Sequence, residues 1–168
     1  LKFFSLILYN ILYFFEKILR NFFKRSFLVW FKEFLHNDSY VTKNILGKRV
    51  TFFTPNSLTE HRVRKIFTKE PETIGWIDGF EKKKKLIFWD IGANIGLFSI
   101  YNVLKNRNSI SISFEPSSSN IRVLTRNISI NKLEKKIKVV TLPLTNRENT
   151  FQIMNENDFL EGGALNAF

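Results

Sequence analysis

The stretch Phe88-Trp89-Asp90-Ile91-Gly92-Ala93-Asn94-Ile95-Gly96-Leu97-Phe98 constrains the chain most, because an apolar run breaks there into a glycine turn and then into helical spacing. Leu86, Ile87, Phe88 and Trp89 are continuously apolar, as expected of a central parallel strand covered on both faces. Asp90 falls at the carboxyl end of that strand, the edge where open α/β sheets bind ligands. Gly92 and Gly96 permit a tight turn and close helix packing, and the positive end of the following helix favours an anionic ligand group.

What the turn lacks narrows the ligand. A dinucleotide fingerprint places glycine at three positions, the second so that backbone can approach a pyrophosphate. Here Asn94 and Leu97 stand where the second and third glycines would fall. A second strand, Ile110 to Phe114, ends in Glu115, at about the 20-residue reach of an acid that grips ribose hydroxyls. A glycine loop and a ribose acid without a pyrophosphate seat point to S-adenosylmethionine as cofactor. A nicotinamide-dependent oxidoreductase would share strand, loop and acid, but should carry the missing glycines.

The spacing predicts a helix from about Asn94 to Lys105 after the loop. Pro116 and Ser117 then open a helix through Ile121, Leu124 and Ile128, and Ile137 to Leu142 reads as a third strand. That order is βαβαβ, one mononucleotide-binding half of an α/β fold. Asn149 to Met154 reads as a further, antiparallel strand.

These blocks together resemble the FkbM-type S-adenosylmethionine-dependent methyltransferases. Phe88 to Tyr101 is similar to that family's cofactor loop, and Phe114-Glu115-Pro116-Ser117 to its second-strand acid. Asn127 to Asn131 looks like its asparagine-bracketed turn. Lys69 to Thr73 with Trp76-Ile77, and the closing Glu161-Gly162-Gly163-Ala164-Leu165-Asn166, resemble segments of one bacterial subgroup. The likeness covers roughly residues 50 to 168.

The resemblance implies a Rossmann-like class I methyltransferase fold, of which the chain carries the amino-terminal half of the sheet, with an edge left unprotected. It implies an internal fragment of a longer enzyme, inactive alone, that O-methylates a hydroxyl of a sugar, glycan or secondary metabolite. Asp90 would orient the methionine end of the cofactor, with Gly92, Ala93, Asn94 and Gly96 lying under it. Glu115 would accept from both ribose hydroxyls, and Leu144, with Pro143, would wall the adenine. No residue is assigned as the catalytic base, which is expected in the downstream half. His36 and His61 are the chain's two histidines and are expected at surface or interface positions.

Composition removes several chemistries. The chain has no cysteine, which excludes disulfides, thiol nucleophiles and thiolate metal sites. Two histidines do not make a typical structural zinc site, and no metal is expected. Net charge is +11, yet residues 86 to 168 carry 9 basic and 7 acidic side chains against 17 and 8 in residues 1 to 85. The cofactor half is therefore nearly neutral, no basic groove with interleaved aromatics is evident, and nucleic acid is not an expected partner. Lys82 to Lys85 reads as a solvated run.

Three regions are expected: an amphipathic aromatic and basic helical segment over 1–36, a small cap over 37–84, and the truncated methyltransferase domain over 85–168. In the first, Phe4, Ile7, Leu8, Ile11, Leu12, Phe15, Leu19, Phe22 and Phe23 recur at helical spacing, as one helix or two. The uncharged stretch Phe3 to Phe15 is shorter than the roughly 20 residues a bilayer span needs, and no signal-peptide cleavage pattern follows it. Packing on the catalytic domain or a sister subunit in a homodimer, lying on a membrane surface through residues 1–35, and belonging to a truncated span all stay open. A non-enzymatic membrane-surface adaptor is the corresponding alternative function. The expected location is cytoplasmic, with the inner face of the membrane as the alternative.

In the cap, Lys48 to Phe53 reads as a strand and Ser57-Leu58-Thr59-Glu60 as a capping box opening a helix through Arg62, Arg64 and Phe67. Pro71 suits the first turn of another helix that bears Glu72. Glu72 either holds the methionine amino group of the cofactor or simply sits where an acid favours a helix amino terminus.

Overall fold

The structure, a computed structural model, describes residues 1–37, 39–81, 85–144, 156 and 159–163. The chain divides into two compact units, Leu1–Ser39 and Tyr40–Phe168. The expected strand at Asn149 to Met154, most of the lysine run and residues 164–166 of the closing block lie outside the described residues.

The second unit opens with a hairpin, β1 (Tyr40–Ile45) against β2 (Lys48–Phe53), antiparallel with Tyr40 opposite Phe53 and Ile45 opposite Lys48. Its two-residue turn holds Leu46 at φ 52° and Gly47 at φ 77°, the left-handed pair that matches strand twist. Sequence spacing showed β2 alone. A leucine in a turn position usually taken by Asn or Asp hid the hairpin and its first strand.

Helix α3 (Ser57–Arg64) is capped one residue earlier than the Ser57 motif suggested. The Asn56 carboxamide oxygen accepts the Thr59 N–H at 2.9 Å, and the Thr59 hydroxyl accepts the Asn56 N–H at 3.3 Å. Asn and Ser cap about equally well, and here the extended backbone of Asn56, at φ −148°, makes it the residue that closes the capping box. Helix α4 (Pro71–Asp78) begins on Pro71, as its missing N–H allows.

Then follow β3 (Leu86–Ile91), α5 (Leu97–Lys105), β4 (Ser109–Phe114), α6 (Ser118–Ile130) and β5 (Ile137–Val140). The three strands form one parallel sheet in the order β3-β4-β5, with Asp90 beside Ser113 and Phe114 beside Val140. This is the expected βαβαβ, a Rossmann-like α/β half-sheet. Its core joins Phe88, Ile95, Ile100, Val123, Leu124 and Ile137 to Phe52, Val63 and Ile77 of the preceding elements.

Strand β3 departs from the expected central strand covered on both faces. Phe88 and Asp90 are buried, whereas Ile87, Trp89 and Ile91 are 57%, 57% and 64% exposed. Among the described residues β3 is a sheet edge with one covered face, so its apolar run is only half buried.

The two asparagines of Asn127 to Asn131 pair with the hairpin. Asn127 Oδ1 accepts the Phe53 N–H at 2.7 Å and its Nδ2 donates to the Ile95 carbonyl at 2.9 Å. Asn131 Oδ1 accepts the Thr51 N–H at 3.0 Å, and its Nδ2 donates to the Thr51 carbonyl at 2.7 Å. Carboxamides on α6 and at its carboxyl cap thus stand in for a neighbouring strand and satisfy groups on the β2 edge that burial would otherwise strand.

The first unit is a pair of helices, α1 (Lys2–Phe23) and α2 (Phe27–Asn37). Lys24, at φ 55°, ends α1 in a left-handed cap with its N–H on the Arg20 carbonyl. Glu16 turns inward from α1 and accepts the Phe27 and Leu28 N–H groups at 3.1 and 3.4 Å, closing the first turn of α2. A hydrogen bond from Ser26, with those two amides, holds its carboxyl below the ordinary value.

Candidate functional site

The loop between β3 and α5 is built from left-handed residues: Gly92 at φ 73°, Asn94 at φ 52° and Gly96 at φ 85°. Asparagine is one of the few side chains that tolerates that region, so Asn94 replaces a glycine there at modest cost. The Gly92 and Ala93 N–H groups both donate to the Phe114 carbonyl, at 2.9 and 3.0 Å, tying the loop to the end of β4. At Gly96 a Cβ would lie 2.4 Å from Leu124 Cδ1, so α6 packs against bare backbone.

Two buried carboxylates hold this loop from beneath. Glu115, 5% exposed, accepts the Asn94 N–H at 2.7 Å on one oxygen and the Ser117 N–H at 3.0 Å on the other. Asp90, 7% exposed, accepts the Ser99 N–H at 2.9 Å and the Ser99 hydroxyl at 2.6 Å. Burial pushes the Asp90 carboxyl above its ordinary value; the two Ser99 bonds oppose this, and the charges of Glu115 and Glu70 add to it. The Ser99 hydroxyl also meets that of Ser113 at 2.6 Å. Ser109 and Ser111 on the same side of β4 bond Asn102 of α5, so a buried polar ladder sets the helix against the sheet.

Beside the loop is a cleft of about 100 Å³, with Gly92, Ala93 and Asn94 on one wall and Arg62, Lys65, Lys69 and Glu70 on the other. Burial lowers the basicity of Arg62, against the opposing influence of Glu70 and Glu115. Among the described residues the buried Asn94 Oδ1 atom has no hydrogen-bond partner. An orphaned acceptor at a cleft wall asks for a donor from a ligand.

A strap, residues 161–163, is fastened over the loop. The Gly163 carbonyl accepts from Asn94 Nδ2 at 2.7 Å and from Asn120 Nδ2 at 3.0 Å, while the Gly162 N–H donates to Asn120 Oδ1 at 2.8 Å. Arg62 Nε donates to the Gly162 carbonyl at 2.6 Å, and Asn56 and Arg122 hold the Glu161 carboxylate. The same Asn94 and Asn120 that carry the strap also donate to Glu115, so strap and carboxylate share their supports.

Of the residues singled out from the sequence, Gly92, Ala93 and Asn94 line the cleft, with Asp90, Gly96 and Glu115 shaping the loop around it. Glu72 is exposed in the first turn of α4 and does not line the cleft; Glu70, at the N-cap position, does. Leu144 lies beyond β5, 48% exposed and away from the cleft. His36 and His61 are exposed. Sequence reasoning missed the cationic wall, although Arg62, Lys65 and Lys69 recur at helical spacing, and it missed Ser99 and Asn120 altogether. Among the described residues no group of acids or histidines could hold a metal ion.

The fold and this loop define a Rossmann-like α/β half-sheet with a ligand cleft at the carboxyl edge of its strands. Neither a family model nor a curated protein matches the chain. Among solved structures it is similar to the C-terminal domain of precorrin-6Y C5,15-methyltransferase from Rhodobacter capsulatus, at 24% identity and TM-score 0.39, covering 45% of this chain and 40% of that one. It is similar to a SAM-dependent methyltransferase from Agrobacterium tumefaciens at 14% identity and TM-score 0.47, covering 61% of this chain and 32% of that one. A protein-L-isoaspartate O-methyltransferase matches at 14% identity and TM-score 0.36, covering 63% of this chain and 29% of that one. The chain therefore spans less than half the length of these structures.

Proposed function

We propose that the chain is part of an S-adenosylmethionine-dependent methyltransferase. The observation that carries this reading is Glu115 at the tip of β4, bonded to the Asn94 N–H of the glycine loop, beside a cleft of mixed charge. The amino-acid end of the cofactor is a zwitterion. Arg62, Lys65 and Lys69 suit its carboxylate, and Glu70 with the orphaned Asn94 Oδ1 suits its ammonium group. Glu70 takes here the role that sequence spacing offered to Glu72. With that end in the cleft, the adenosine would lie toward Glu115, whose oxygens retain acceptor capacity for ribose hydroxyls once the strap moves.

The cofactor, when bound, supplies a methyl group already activated on sulfur for in-line displacement. What the chain contributes is orientation and exclusion of water, for which alignment is worth up to about 7 to 11 kcal/mol. Asp90 acts through Ser99, fixing the first turn of α5 and hence the loop that bears the ligand. Leu144 as an adenine wall, the FkbM-type family and O-methylation of a sugar, glycan or secondary metabolite hydroxyl remain parts of the proposal that rest on the resemblance.

Titration calorimetry of the chain with S-adenosylhomocysteine and, separately, with NADH tests the reading. Heat with the first ligand and none with the second is expected. Binding of NADH without S-adenosylhomocysteine would replace the assignment by an oxidoreductase.

A further inference from the structure

We propose that the two-helix unit, residues 1–39, docks on an anionic lipid bilayer, laying the aromatic side of α1 along the headgroup boundary. Phe4, Ile7, Ile11, Phe14, Ile18 and Phe22 follow one another at helical spacing along α1 and are 68%, 44%, 48%, 61%, 41% and 79% exposed. A contiguous apolar stripe of this length on a two-helix unit marks a docking surface rather than scattered surface hydrophobes. No helix among the described residues is long and apolar enough to cross a membrane, so the stripe fits lying in the interface, not spanning it.

Charge selects the occupant. Lys2, Lys17 and Arg20 lie on the polar side of α1 and Lys24 caps its carboxyl end, and long basic side chains can snorkel to headgroups from there. Of the acids in this unit, Glu16 is buried and engaged in capping α2. Residues 1–39 carry 6 basic and 3 acidic side chains, and residues 40–168 carry 20 and 12. A second copy of the chain, or its own larger unit, would therefore bring like charge to the stripe. A phosphatidylglycerol surface brings the opposite charge and an apolar boundary together.

Sedimentation of the full chain with sucrose-loaded vesicles tests this, using phosphatidylglycerol mixed with phosphatidylcholine against pure phosphatidylcholine, at low and high salt. The chain should pellet with the anionic vesicles and be released by salt. The Phe14→Asp/Phe22→Asp variant, with helicity checked by circular dichroism, should lose at least about tenfold in partitioning. Arg20→Glu/Lys24→Glu should weaken binding to anionic vesicles alone. Equal pelleting with both vesicle types would overturn the anionic surface. Failure to pellet, with light scattering showing a dimer that Phe14→Asp/Phe22→Asp dissolves, would reassign the stripe to a second copy.

Discussion

Glu115 holds the backbone N–H of Asn94 at 2.7 Å, joining the tip of β4 to the middle of the glycine loop across 21 residues of sequence. Because the same carboxylate also takes the Ser117 amide at the start of α6, one buried side chain fixes both the glycine loop and the entrance of α6. This double use explains why an acid here is structural even before any ligand arrives.

Glu115→Ala should therefore act twice. Loss of its charge-assisted bonds should weaken S-adenosylhomocysteine binding by about 1 to 3 kcal/mol and lower folding stability as well. Calorimetry and urea unfolding on the same preparation separate the two effects. Unchanged affinity with lowered stability would leave Glu115 only its structural role.

Gly96→Ala should destabilise the fold more than Gly92→Ala. Both require a left-handed residue, which costs about 1 to 2 kcal/mol for an L side chain. At Gly96 the new methyl also strikes Leu124, whereas Gly92 has open space around it. Urea midpoints of the two variants check the order.

Asn120→Ala should release the strap. The Gly162 N–H is buried and relies on Asn120 Oδ1, so its loss leaves a donor unsatisfied, at about 1 to 3 kcal/mol. Amide hydrogen exchange at Gly162 should accelerate while the N–H groups within β4 stay protected.

Two carboxylates should shape the pH dependence of stability with opposite signs. Burial raises Asp90, so the folded state binds its proton more tightly than the unfolded chain, and stability falls as pH rises from the ordinary 3.8 through the raised value. Burial also opposes ionisation of Glu156, yet the Ser117 and Ser118 hydroxyls and the Ser118 and Ser119 amides hold it down to about 2. That group stabilises the fold above the ordinary 4.5, and its contribution is lost as pH falls toward about 2. Asp90→Asn should flatten the first limb and Glu156→Gln the second, as read from urea midpoints across pH.

Periodicity and punctuation alone determined the βαβαβ order, the glycine loop, the acid at the second strand tip and the helical character of the amino terminus, because each is written in local spacing. Tertiary structure decided the rest. The β1 strand was invisible because its turn uses Leu46, and the cap of α3 went to Asn56 because its backbone is extended where that of Ser57 is already helical. Glu70, the N-cap residue of α4, lines the cleft, whereas Glu72 in the first turn of the helix is exposed, a difference set by packing and not by spacing. The strap across the loop joins residues 56, 62, 94, 120 and 122 to 161–163, contacts that exist only once distant segments are folded together. Burial and hydrogen-bond satisfaction are properties of the whole packing, which is why spacing along the chain does not carry them.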